Sequence, residues 1–599
     1  MRRYLPILLL AAAIVALPFA LRPRGPRAQR PRRHAPPLFI LTPHNEAIRV
    51  EFARAFERWH EEQYGEPVRV EWLAIGGTTE IARYLSAEYV SAARAWWRAR
   101  GGAWPAGAGE ALIAPRDPPP AAAGDAAAAA RRAALCELRA AFRAADDPAQ
   151  FTTGMDVFFG GGQYDHQRAV EQGMTVPPWP DGPPPGLLTD AAGGELIPVE
   201  LSGEIWRAPT YFGNAVSAFG ICYNPERLAA WGLPAPTQWR DLAAPGYFRR
   251  LGVADPTKSG SIAKAFEMIV QQECRRAVRA AGFDAAAVAR YEEAYRAAGR
   301  AGDDAPPPGV PDAYPAAVAD GWRAGINLLR RIGANARYFT DAAGKVPLDV
   351  ASGQAAAGLA IDFYARFQAD YSRAADGAPR LRFVTPRGGS SVSADPVSLL
   401  RGAPRRAQAV RFIEFVLRPE GQRLWTYRAG APGGPKTYTL RRLPARRDFY
   451  PDPDRPDRQA AHREHARWAA DDLSDPDINP YRLAEDFVYQ PRWTGRHFGL
   501  LRDLVRAMCL DSLDELQAAW AAILSAGGPD ANPAAMALLE QFPDRPEPLT
   551  WRSGLDYGAR HERLDYLRAW TNFFRQAYRA ARARAGAAPA EKSREETEP

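Results

Sequence analysis

The opening of the folded part of this chain constrains its architecture more than any other stretch. Leu38-Phe-Ile-Leu-Thr42 is a short apolar run stopped by Pro43, the pattern of a buried strand. Ile48, Phe52, Phe56 and Trp59 then recur at helical spacing as far as Gly65, a residue at which helices end easily. Val68-Arg-Val-Glu-Trp72 alternates apolar and polar residues, as a strand does. Gly76-Gly-Thr-Thr79 opens a second helix carrying Ile81 and Leu85. Strand, helix, strand, helix in that order predicts an α/β fold with a parallel sheet. With 599 residues, 46% of them hydrophobic, the chain has material for a large core and more than one domain.

The pattern is interrupted and resumed. Residues 86–150, rich in Ala, Arg and Pro, read as a helical insertion, and Gly154-Met-Asp-Val-Phe-Phe-Gly-Gly-Gly162 then gives a strand running into a glycine turn. Residues 178–186 form a Pro/Gly loop, and 277–320 read as a second helical insertion. A helix end from Asp349, a strand Ala357–Phe363 and a short strand Leu381–Pro386 follow. Residues 441–599 contain Arg/Asp/Pro loops and helical stretches at 498–524 and 560–585, which reads as a mainly helical C-terminal extension.

Net charge is +8, but much of the excess is local: Arg22, Arg24, Arg27, Arg30, Arg32 and Arg33 sit in a Pro-rich stretch without apolar period. Residues 22–37 therefore read as a basic tether, and no folded surface interleaves basic and aromatic residues as nucleic-acid binding requires. Residues 1–21, with Arg2, Arg3 and an apolar run from Leu5 to Leu21, read as a signal peptide or an uncleaved membrane anchor. No cysteine ends that run to carry a lipid. Cys136, Cys222, Cys274 and Cys509 are scattered, with no C-x-x-C pair, which leaves zinc sites and a disulfide framework unsupported and one disulfide open.

Candidate binding residues lie in four turns at strand ends. Ala254-Asp-Pro-Thr-Lys-Ser-Gly-Ser-Ile262 offers hydroxyls, free N–H groups and Lys258 at a helix start, a ready anion site. Its candidates are Lys258, Ser259, Gly260 and Ser261. The others are His44 and Asn45 in Thr42-Pro-His-Asn45, then Gly76, Gly77, Thr78 and Thr79, then Gly161 and Gly162. These turns supply donors and glycine backbone, a set suited to a small polar or anionic solute.

The turn at 254–262 has company in a fixed order: Tyr211-Phe-Gly-Asn-Ala-Val-Ser-Ala-Phe-Gly-Ile-Cys-Tyr-Asn-Pro225 and Leu233-Pro-Ala-Pro-Thr-Gln-Trp-Arg-Asp-Leu242 before it, Ser393-Ala-Asp-Pro-Val-Ser-Leu-Leu400 and Ala407–Gln422 after it. This order resembles the substrate-binding proteins of bacterial ABC importers, on the branch that includes the ferric-iron binders, over roughly residues 38–440. The resemblance implies a two-lobed periplasmic-binding-protein-like fold with mixed sheets and a strand hinge. Lobe one would be 38–218 with 385–440, and lobe two 219–384. It also implies a monomer outside the cytoplasmic membrane that delivers a solute from the inter-lobe cleft to ABC permease subunits, without a cofactor. Ser217, Asp362, Tyr364 and Asp395 join the candidates through these motifs. In ferric-binding relatives two adjacent tyrosines stand where Ala360-Ile-Asp-Phe-Tyr-Ala365 has Phe363-Tyr364. Phe363 cannot coordinate a metal, which weighs against iron; the iron alternative would use His44 and Tyr364.

Other readings stay open beside this one. His462-Arg-Glu-His465 has i,i+3 spacing but reads as a solvated helix face. Trp206 lies near the expected hinge, where it could line the cleft. No G-x-S-x-G and no P-loop occurs, so an exported hydrolase is the weaker reading. A membrane-anchored sensor or assembly protein using residues 441–599 to dock a partner is the third.

Overall fold

The computed structural model describes residues 35–586 except 145, 148 and 304. The expected signal or anchor and most of the tether lie outside the described residues. Among the described residues no helix is long and apolar enough to cross a membrane.

The predicted opening forms as read. Strand Pro37–Leu41 pairs in parallel with Arg69–Leu73, in register Pro37↔Arg69 to Leu41↔Leu73. The helix Glu46–Tyr64 between them buries Ile48, Phe52, Phe56 and Trp59, the i, i+4, i+8, i+11 stripe, and ends at Gly65 with its N–H on Glu61 O at 2.9 Å.

Two sheets share long strands. The path runs Ala336–Thr340, Leu251–Ala254, Ala357–Ile361, Tyr211–Tyr223, Val392–Leu400, Val157–Phe159, Pro37–Leu41, Arg69–Leu73. The thirteen-residue strand Tyr211–Tyr223 belongs to both halves: Tyr211–Ala218 pairs antiparallel with Val392–Ser398, and Phe219–Tyr223 pairs antiparallel with Ala357–Ile361. Partners change between Ala218 and Phe219, and that change divides lobe one from lobe two. Parallel pairs (Ala336–Thr340 with Leu251–Ala254, for example) and antiparallel ones coexist, so the sheet is mixed, as expected.

The insertions are built on the lobes. Helix Thr78–Ala99 runs on past residue 86 and, with Ala108–Ile113 and Ala126–Ala144, encloses a second apolar core around Leu85, Tyr89, Leu112, Leu138 and Phe142. On lobe two, helix Ala313–Asn335 lies against Gly260–Ala280 so closely that a Cβ on Gly321 would stand 2.3 Å from Cys274 Cα, and one on Gly325 2.7 Å from Val270 Cα. Glycine alone allows the two backbones to approach that far. All four cysteines are free, and burial pushes the Cys222 and Cys509 thiols up to about 12.

Three expectations need correction. The strand at 357 ends at Ile361, and Asp362 already begins a helix, Asp362–Tyr371. The boundary at 440/441 does not mark a break: Leu443–Pro444 pairs with Val216 and Ala215 inside lobe one, and the Arg447 N–H bonds Leu196 O at 2.7 Å. Residues 441–599 are also not one unit. The stretch after 441 packs on lobe one through Phe449 and Tyr450, whereas residues from 490 to 586 pack on lobe two. There Trp520 Nε1 donates to Asn335 Oδ1 at 2.9 Å and Gln517 Nε2 to Ala336 O at 2.6 Å. The cause is burial of large aromatics: Trp520, Trp570 and Tyr578 are fully enclosed. The chain therefore passes between the lobes a third time, within 470–490.

Candidate functional site

A cleft of about 1660 Å³ lies between the lobes. The helices that begin on it include Glu46–Tyr64 after Asn45, Thr78–Ala99 after Gly77, Gln163–Glu171 after Gly162, Gly260–Ala280 after Ser259, and Asp362–Tyr371 after Ile361. Asn45 and Ser259 cap their helices through Ile48 N at 3.1 Å and Ile262 N at 3.4 Å. Gly77 and Gly162 make no side-chain cap, which leaves first-turn N–H groups and the positive ends of two helices directed at the cleft.

Of the sixteen predicted residues, fourteen line this cleft: His44, Asn45, Gly76, Gly77, Thr78, Gly161, Gly162, Ser217, Lys258, Ser259, Gly260, Ser261, Tyr364 and Asp395. Two do not. Thr79 turns away and accepts from Arg502. Asp362 folds back on its own helix start, accepting from Phe363 N at 2.7 Å and facing Arg366 at 3.7 Å, because a carboxylate there completes the first turn. Trp206 is fully buried behind the cleft, donating to Val392 O at 3.1 Å.

Lobe one's glycine turn is shaped by His44: a Cβ on Gly160 would stand 2.3 Å from His44 Cε1. At the cleft floor His44 Nε2 lies 3.2 Å from Asp395 Oδ2 and 3.1 Å from Arg442 Nη1. Arg442 also pairs with Asp395, donates to Ser217 Oγ at 3.3 Å and lies over the Phe363 ring at 4.2 Å. Asp395 is aimed inward by the register shift between Asp395 and Pro396; a proline has no N–H to give a regular ladder. Burial, against the hydrogen bond to the Asp395 carboxylate, pulls the His44 pKa below its ordinary value. Burial works to raise Asp395, but Arg442 and His44 outweigh it and hold the carboxyl below its usual range. Three buried atoms here have no protein partner: His44 Nδ1, Asp395 Oδ1 and Arg442 Nε.

A second wall is a buried ion network that joins the two lobes. Lys264 Nζ sits 2.9 Å from both Glu204 Oε1 and Glu267 Oε2, and lies over the Tyr489 ring at 3.8 Å. Ser391 Oγ donates to Glu204 at 2.5 Å, and Tyr489 Oη to Glu267 at 2.6 Å. Burial alone would lower the Lys264 pKa, yet the two carboxylates raise it. Arg442, Glu204, Lys264, Glu267 and Tyr489 are among the cleft residues that sequence reading missed. Lys258 is not a free cation: its ammonium meets Asp341 at 2.7 Å, and that partner raises its pKa. Acidic side chains also stand in the first helical turns. Asp165 is one, its carboxyl pushed up by burial against the opposing effect of Arg502.

His462 and His465 are buried rather than solvated, at 5% and 4% exposure. His462 Nδ1 meets Phe449 O at 2.9 Å, and His465 stacks on Phe449 at 3.7 Å, so both are structural. For the iron alternative, Tyr364 is half-buried beside Phe363, which offers no oxygen, and His44 is already engaged with Asp395. Among the described residues no group of three or more His, Cys, Asp and Glu is placed to hold a metal ion.

One strand shared by both halves, two α/β lobes and a polar cleft between them match the two-lobed architecture that the sequence motifs imply. Residues 166–450 match the family described as bacterial extracellular solute-binding protein. The chain is 26% identical over 234 residues to the phosphoglycerate transport regulatory protein PgtC of Salmonella typhimurium, covering 39% of this chain and 44% of that relative. The chain thus spans less than half the length of the curated relative it matches. Among solved structures it is similar to the periplasmic binding protein AfuA from Actinobacillus pleuropneumoniae with fructose-6-phosphate bound (15% identity, 79% of this chain and 98% of that one, TM-score 0.42). It is also similar to apo ferric ion-binding protein A from Pasteurella haemolytica (11%, 79% and 98%, TM-score 0.41).

Proposed function

We propose that this protein is the solute-binding component of an ABC import system, working outside the cytoplasmic membrane as a monomer and handing a small polar or anionic solute to permease subunits. The observation that carries this reading is the convergence of uncapped helix starts at Gly77 and Gly162 with the hydroxyls of Thr78, Ser259 and Ser261 on one inter-lobe cleft. An anionic group belongs at those N–H donors rather than at the Lys264 wall, where Glu204 and Glu267 together carry one negative charge more than Lys264 cancels. Arg442, Asp395, His44 and Ser217 at the floor mix donors and acceptors and suit the hydroxyl-bearing part of a solute.

The named relative supports a phosphorylated small acid as the first solute to try. Native mass spectrometry of the full chain purified from its own host, followed by calorimetry with 3-phosphoglycerate and with glycerate, tests this. Binding of the phosphorylated compound and weak binding of glycerate are expected. A co-purifying cation with no response to either anion would displace the reading. The word "regulatory" in the relative's name favours one second reading, a sensor that uses the same cleft to report the solute to a membrane partner. Pull-down from membranes with and without solute separates the two: a permease partner supports import and a kinase partner supports sensing.

A further inference from the structure

The third passage of the chain between the lobes ends in a segment that touches both. Residues 489–502 lie beyond the stretch matched by the solute-binding family. Toward lobe two they are fixed by buried, charged contacts. Tyr489 Oη donates to Glu267 at 2.6 Å, Gln271 Nε2 donates to Gln490 O at 2.7 Å and to Thr494 Oγ1 at 2.8 Å, and Arg492 forks onto Glu292 at 2.7 and 3.0 Å. Glu267 and Glu292 are both buried, so breaking these contacts would leave charge without solvent.

At its start the segment is also held to lobe one, where the Tyr489 N–H donates to Ser202 O at 2.8 Å, but toward the rim the contacts with lobe one are few. Arg502 spans the cleft mouth: Nε donates to Pro256 O at 2.8 Å on lobe two, and Nη2 to the Thr79 hydroxyl on lobe one. The Phe498 ring lies against Tyr164 of lobe one with centroids 4.6 Å apart. At the same place the two binding turns meet, since a Cβ on Gly77 would stand 2.7 Å from Lys258 O and one on Gly260 2.8 Å from Thr78 Oγ1. Tyr489, Arg496 and Phe498 face the cleft itself.

We propose that residues 489–502 are a clasp. It rides on lobe two, closes the cleft mouth by gripping lobe one through Arg502–Thr79 and Phe498–Tyr164, and must let go of that side before solute is exchanged. The asymmetry at the rim decides which side releases: a hydroxyl, one ring contact and the nearby Asp165 carboxyl on lobe one, against buried carboxylate pairs hydrogen-bonded on lobe two. A guanidinium is needed at 502 because its fork serves two acceptors on different lobes at once, which a lysine ammonium on a longer flexible stem does not pre-organise.

The grip is tested without any ligand. Spin labels on Glu62→Cys in lobe one and Ala289→Cys in lobe two, in the full chain with Cys136→Ser, report the inter-lobe distance by double electron–electron resonance. A narrow distribution is expected for this parent. Arg502→Ala, Arg502→Lys, and the pair Thr79→Val with Tyr164→Ala should each broaden it toward longer distances. Melting temperatures near the parent's would show that the fold is kept. Parent-like distributions in Arg502→Ala and in the Thr79/Tyr164 pair would overturn the clasp. Release of 3-phosphoglycerate in stopped flow should quicken in Arg502→Ala by about tenfold. That arm rests on the proposed solute class, and failure of 3-phosphoglycerate to bind the parent would count against that class while the distance measurement still decides the clasp.

Discussion

Gly160 and His44 are in such close contact that no side chain fits between them; a Cβ at 160 would overlap the imidazole at 2.3 Å. The glycine also holds φ at 87°, in the left-handed region. Gly160→Ala is therefore expected to cost about 1–3 kcal/mol of stability and to weaken solute binding by displacing His44. Urea denaturation with a parallel titration checks both. A variant that unfolds and binds like the parent would show that the imidazole has room to move.

The Arg442–Asp395 pair is buried on both sides, at 3% and 8% side-chain exposure. Removing the cation alone by Arg442→Ala should destabilise the protein by about 3–5 kcal/mol, because a buried carboxylate is left with only the His44 imidazole. Asp395→Leu in the same chain should recover much of that loss. Chemical denaturation of the single and double variants measures the difference. Equal losses in the two would mean that Asp395 is not held as a charge.

Five histidines, His44, His60, His166, His465 and His497, are buried with lowered pKa values, the last three near 4. Burial is the leading cause in each. In the unfolded chain they take up protons near 6.5, so between about pH 4 and 6.5 the unfolded state binds more protons. Stability is complete above that window and falls as pH is lowered through it, by up to about 1.4 kcal/mol per pH unit for each histidine. The depressed Asp395 adds a further loss at still lower pH, below the ordinary carboxyl value of 3.8. Unfolding midpoints across this range, compared with His166→Gln, should show a shallower slope in the variant. An unchanged slope would place a compensating group beside His166.

Lys258 and Asp341 neutralise one another at the cleft mouth. Lys258→Ala should weaken binding of an anion such as 3-phosphoglycerate, and Asp341→Asn should strengthen it, most at low salt where the charge is least screened. Neither should move the melting temperature appreciably, since both side chains are largely solvated. Calorimetry at two salt concentrations is the check. A stronger effect on melting than on affinity would make the turn a helix cap only.

Addition of Fe(III) should give little or no tyrosinate charge-transfer absorption. Tyr364 offers one phenol, and Phe363 beside it offers no oxygen. A deep colour lost in Tyr364→Phe would reverse this and make His44 a ligand.

The turns at 42–45, 76–79, 160–162 and 257–261 were legible because an α/β sheet brings strand ends to one edge, and most donors named from them share one cleft. Arg442 was not. It sits in a polar loop among 77 lysines and arginines, and only the folded chain places it over Phe363 and against Asp395. Glu204, Lys264 and Tyr489 escaped for the same reason: a buried ion network is assembled from segments far apart in sequence. His465 looked solvated because its own helix is polar, but the ring that covers it, Phe449, comes from another segment. Asp362 came in through the motif resemblance, which does not show where the strand stops; ending it at Ile361 turns the carboxylate onto the helix start.

The strand Tyr211–Tyr223 changes sheet partners between Ala218 and Phe219, and the Phe219 N–H at that point is held by Ser390 Oγ at 2.9 Å. Ser217 and Phe219, one residue to either side of Ala218, both face the cleft. A bound solute therefore leans on the axle as well as on the jaws. Occupancy can stiffen the pivot with little travel of either lobe, and a membrane partner that senses the rigidity of the pair, rather than the gap between them, would read the bound state from the outside.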